Sequence, residues 1–143
     1  MTCAFFGHKE SPDSIKPLLE EEIRRLIESE GYDEFLVGNQ GQFDAMVFST
    51  LKSLKAEYPS IRYYIVLAYL PGEKDAYTTI DYTETIYPEG LESVPRRFAI
   101  SRRNKWIVEN SKAVICYISH TWGGAYQAVS LAERKGLMVI NLA

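Results

Sequence analysis

Four short stretches carry residue types that chemistry needs, and each lies next to an apolar run. Gly7-His8-Lys9 places an imidazole and an ammonium beside a glycine. His8 could contact a phosphate or act as an acid or base, and Lys9 could contact a phosphate; the plainer use is a turn at Gly7 with His8 hydrogen-bonded to a neighbouring loop. Gly38-Asn39-Gln40-Gly41 precedes Asp44. Its glycines stand where a helix begins and where backbone N–H groups meet an anion; Asp44 either settles against that helix terminus or accepts a bond from a ribose hydroxyl. Ser101-Arg102-Arg103-Asn104-Lys105 is basic. It is either a solvated helix face or the source of an arginine that pairs with phosphate, with Arg103 and Asn104 as candidates. Ser119-His120-Thr121-Trp122-Gly123-Gly124 then leads into small residues. There, first-turn amides and the helix dipole favour an anion, or the glycines simply make a tight turn.

Other chemistries find no pattern here. The dinucleotide fingerprint and the lysine-containing P-loop are both missing. His8 and His120 lack ligand spacing and there is no Cys/His cluster, so no metal is expected. Ser119-His120 has no nucleophile elbow around it.

The elements that must position these stretches are legible from hydrophobic periodicity. Thr2 to Phe6, Phe35-Leu36-Val37, Arg62 to Leu70, Ala113 to Ile118 and Leu137 to Leu142 read as strands. Ile15, Leu18, Leu19, Ile23, Leu26 and Ile27 mark an amphipathic helix that begins near Ser11-Pro12-Asp13 and stops at Gly31. Ala45 to Leu54 marks a second helix ended by Pro59; a third runs from about Arg96 to Asn110, and a fourth from Gly123-Gly124 to Gly136. Strands alternating with helices predict an α/β, Rossmann-like open, mostly parallel sheet of about five strands with helices on both faces. The chemistry-bearing stretches then fall at the carboxyl ends of strands, where such sheets bind ligands. Glu73 to Pro95, with Tyr77, Tyr82 and Tyr87, fits no element and is longer than an ordinary connection.

The chain has 143 residues, 46% of them hydrophobic, enough for one domain, 1–143, with its own core. A net charge of −3 gives no general footprint for nucleic acid, so a nucleic-acid partner is not expected. No apolar run approaches the ~20 residues of a membrane span, and Met1 to Phe6 runs into Gly7-His8-Lys9 without the features of a leader. Cys3 and Cys116 lie in strand-like runs and read as buried thiols. Together these give a cytoplasmic expectation with no membrane partner; a homo-oligomer is compatible with the tyrosine-rich segment.

The order Gly7-His8-Lys9, Gly38-x-x-Gly41-x-x-Asp44, Arg103-Asn104-Lys105-Trp106-Ile107-Val108 and Gly123-Gly124 with Ala132 resembles the YpsA-like branch of the SLOG superfamily. That superfamily includes the DprA/Smf and LOG proteins. The resemblance spans nearly the whole chain. It implies a Rossmann-like fold that binds a nucleotide or nucleotide-derived ligand over the glycine turns, with no other cofactor, as a sensor or sequestering protein. The implied contacts come from Gly7, His8, Lys9, Gly38, Asn39, Gln40, Gly41, Asp44, Arg103, Asn104, Ser119, Trp122, Gly123 and Gly124. The hydrolytic LOG motif is not intact, since Trp122 replaces its proline, Tyr126-Gln127 its Gly-Thr and Ser130 its glutamate. Ala125 stands where YpsA-like relatives often carry threonine. Two alternatives remain: a hydrolase of an N-glycosidic or phosphoribosyl bond using Glu84 or Glu133, and a protein-interaction module without a ligand.

Overall fold

The first strand is apolar at successive positions because both of its faces are covered. In the computed structural model, which describes residues 1–70 and 84–143, β1 spans Thr2–Gly7. Cys3 and Phe5 enter one apolar layer, whereas Ala4 and Phe6 enter another on the opposite side. The other strands are β2 (Glu34–Val37), β3 (Arg62–Val66), β4 (Thr85–Ile86), β5 (Ala113–Tyr117) and β6 (Met138–Asn141). They form one six-stranded sheet in the order β4-β3-β2-β1-β5-β6, with every pairing parallel. The expectation of about five strands missed β4. Its two residues, paired with Ile65 and Val66, are too few to show an alternation. Pro71, Gly72, Tyr77 and Tyr82 lie outside the described residues, while Tyr87 packs half-buried against the core.

Helices α1 (Lys16–Glu30) and α2 (Gln42–Glu57) cover one face of the sheet. Leu19, Ile23 and Leu26 of α1 meet Val47, Leu51 and Leu54 of α2 over Phe35, Ile65 and Ile115. A 3-10 turn at Asp13–Ile15 leads into α1, and Gly31 closes it in the left-handed region at φ 75°. Helices α3 (Ala99–Glu109) and α4 (Gly124–Arg134) cover the other face. Ile107 and Val108 pack there beside Ala128, Val129 and Ala132, whose small side chains let α4 lie close to β1 and β5. A 3-10 turn at Arg96–Phe98 precedes α3.

The order of strands decides where a ligand can sit. The chain leaves β1 for β2 on one side, and β5 lies against β1 on the other. The connections after β1 and β5 therefore diverge to opposite faces, which opens a crevice at their carboxyl ends. Among the described residues, no helix is long and apolar enough to cross a membrane.

Candidate functional site

A crevice of about 580 Å³ opens where β1 and β5 end. Of the sequence-derived candidates, Gly7, His8, Lys9, Gly38, Gln40, Asp44, Arg103, Asn104, Ser119, Trp122, Gly123 and Gly124 line it. Asn39 and Gly41 do not.

The two helix tips differ. The α2 tip is closed by the chain itself: the Gln42 amide donates to the Lys9 carbonyl at 2.8 Å. Gly41 caps this helix at φ 97°, and a Cβ there would lie 2.7 Å from Lys9 Cα, so its backbone serves the packing of two loops. Asp44 turns back to accept a bond from the Gln40 amide at 2.8 Å. Of the two helix N-termini that the sequence set beside the crevice, that of α2 is thus occupied at Gln42 by the Lys9 carbonyl, while that of α4 lines the crevice. At the α4 tip Gly123 caps the helix at φ 96° without a side-chain cap bond among the described residues, and Gly123, Gly124 and Ala125 line the crevice.

Arg103 and Asn104 reach the crevice because both lie on the buried face of α3 that also carries Ile107 and Val108. Only 3% of Arg103 is exposed. Its Nε donates to Asn104 Oδ1 and its Nη1 to the Val66 carbonyl, each at 2.8 Å. The guanidinium lies flat against Gly38, where a Cβ would come within 2.8 Å of Nη1. Arg103 thus braces the end of β3 and is also one of the residues that line the crevice. Burial lowers its pKa, and the charges of Asp44 and Tyr69 oppose that. Burial likewise raises the Asp44 carboxyl to about 6, against the pull of the Gln40 amide and Arg103.

The rim is aromatic. His8 and His120 stack with ring centres 3.5 Å apart, and His120 stacks on Trp122 at 3.6 Å. His8 Nε2 accepts a bond from the Ser119 amide at 3.0 Å, so that nitrogen carries no proton. Burial, and then the neighbouring His120, hold the His8 pKa below its ordinary value. Among the described residues His120 Nδ1 is buried without a partner, and Trp122 at the outer end of the stack is 67% exposed. Sequence reasoning left His120 out of the site. Its place in the loop between Ser119 and Trp122 was the available signal, but its neighbour His8 comes from a distant turn. Glu84 and Glu133 lie outside the crevice; Glu84 accepts a bond from the Tyr63 hydroxyl at 3.3 Å, and Glu133 is in the last turn of α4.

A parallel sheet of this order with a glycine-lined crevice at its switch point defines a Rossmann-like α/β protein. Two solved structures share the fold. One is DNA processing protein A (DprA) from Streptococcus pneumoniae, at 16% identity and TM-score 0.68 over 98% of this chain and 49% of that one. The other is DNA processing protein A from Helicobacter pylori, at 13% identity and TM-score 0.68 over 99% of this chain and 64% of that one. The present chain thus spans about half to two-thirds of these relatives. No protein-family model and no curated protein matches the sequence. The Rossmann-like fold implied by the sequence resemblance is borne out, and it is a fold shared with these two DprA structures.

One expectation is corrected by this comparison. The acidic net charge argued against a nucleic-acid partner, yet the H. pylori structure is reported for the single-stranded DNA binding mode of that protein. A charge summed over the chain does not register where the cations gather.

Proposed function

We propose that this protein binds a nucleotide unit in the crevice, with the phosphate between the α4 tip and Arg103 and the base on the His8–His120–Trp122 stack. The observation that carries this reading is convergence. A helix terminus without a side-chain cap, a buried guanidinium with N–H groups to spare and a column of rings all meet in one cavity. The first two supply charge-assisted hydrogen bonds to an anion, and the third supplies a face on which any base stacks. The shared chemistry is a phosphate with an attached base, either a free nucleotide derivative or the end of a single-stranded nucleic acid.

The test is titration of the full chain with adenosine 5′-monophosphate, ADP-ribose and the oligonucleotide dT12, read by indole fluorescence and thermal unfolding. A ligand at a hundred times its Kd adds about 2.7 kcal/mol and raises the midpoint by roughly 5–10 °C. Gly124→Asp sets a carboxylate at the phosphate position. The nearest atom to a Cβ at Gly124 is Asn104 Nδ2 at 4.0 Å, so the variant has room to fold. An acidic group also suits a helix N-terminus. Its Tm is expected to hold while affinity falls at least thirtyfold; unchanged affinity moves the site elsewhere. Intact ligand recovered after incubation supports binding without turnover, whereas liberated base or ribose phosphate supports a hydrolase.

A further inference from the structure

The crevice continues past the α4 tip. Ile100, Asn104 and Gly124 line both it and a second groove, of about 680 Å³, between α3 and α4. Four exposed cations line that groove: Arg97 in the turn before α3, Arg102 and Lys105 on α3, and Arg134 in the last turn of α4. No carboxylate lines it among the described residues. Lys105 has Glu109 at 3.9 Å, and the Arg97 guanidinium lies over the Phe98 ring at 4.8 Å. Lys105 is drawn toward Glu109, which leaves Arg97, Arg102 and Arg134 to carry the positive charge of a groove that no carboxylate lines among the described residues, in a chain of net charge −3.

The spacing favours a chain of phosphates over a single one. Gly124 and Arg134 open and close α4. At a helical rise of 1.5 Å per residue they are separated by about 15 Å along the axis, farther than one phosphate reaches. We infer that this groove carries the sugar–phosphate backbone of a single-stranded nucleic acid whose end nucleotide occupies the crevice. The inference rests on the nucleotide reading of the crevice for its starting point. Arg102 and Arg134 then meet successive phosphates by charge, without reading sequence.

The experiment compares dTMP with dT12 on the full chain across a range of salt concentrations. The variants are Arg102→Glu/Arg134→Glu and Gly124→Asp. Wild type is expected to bind dT12 at least tenfold more tightly than dTMP. Reversing both arginines is expected to remove that advantage and lower the salt slope by about 1.4, at about 0.7 per phosphate contact on a single strand. Affinity for dTMP stays within twofold, which also reports that the variant is folded. Equal dT12 binding by wild type and the double variant, or no dT12 binding at all, overturns the inference and turns the groove toward an acidic protein surface. If Gly124→Asp leaves dT12 binding intact while the arginine reversal abolishes it, the groove stands and the crevice reading falls.

Discussion

Arg103 holds the end of β3 in place, and in the proposed function it also meets the phosphate. Its Nε and Nη1 bonds tie Asn104 and the Val66 carbonyl together. Arg103→Lys keeps the charge but not the planar fork. We expect a loss of about 1–3 kcal/mol in urea unfolding, because a buried carbonyl or amide is left unpaired, together with at least tenfold weaker nucleotide binding. Asp44 gives a pH signature. Its folded pKa of about 6 lies above its ordinary value, so between about pH 4 and 6 the folded state holds a proton that the unfolded chain has released. Stability from this group is therefore full at low pH, declines across that window and stays reduced above it. Asp44→Asn keeps an oxygen for the Gln40 amide and should flatten the decline, leaving the variant more stable than wild type at pH 7. The difference is of the order of 2–3 kcal/mol. Denaturation at pH 4, 5, 6 and 7 measures it. His8 works in the opposite sense: its lowered pKa means that stability is full above its unfolded value and falls on acidification, as a proton displaces the Ser119 amide from Nε2.

At the scale of elements, the strands and helices that bury a long periodic face were legible from the sequence. α1 announced itself through Leu19, Ile23 and Leu26 and its terminal Gly31, because packing and capping both act locally. What stayed hidden depended on tertiary meeting. α2 begins at Gln42, ahead of its apolar run, because Gly41 and the Lys9 carbonyl, rather than a side-chain cap, open it. β4 owes its existence to pairing with β3. The basic run offered either a solvated face or an arginine for the crevice, and the packing of α3 separates the two: Arg103 is buried and Arg102 beside it is exposed. The glycine turns were recognised, but their tasks were not distinguishable: a Cβ on Gly7 would lie 2.2 Å from Phe43 Cγ, so that glycine lets α2 approach β1. Gly7→Ala is expected to cost about 1–3 kcal/mol by overpacking. A second substitution, Phe43→Leu, should recover part of this in a double-mutant cycle, since the clash is with the ring itself.

At the scale of the whole molecule, composition misled where position mattered. Acidic residues elsewhere on the chain outweigh the cations of the α3/α4 groove in the total, although none lines that groove among the described residues. The sheet also acts as a wall. Alternate residues of β1 serve separate apolar compartments, with Leu51 on one side and Ile107 on the other, each fully buried. A void opened by Leu51→Ala cannot be filled by groups across the backbone, and Ile107→Ala is insulated in the same way. Each truncation should cost about 2–5 kcal/mol, and the pair should add to within about 0.5 kcal/mol. Sequence drift in one compartment therefore proceeds without compensation from the other, and the two interiors can change at independent rates while the crevice at their common border keeps its shape.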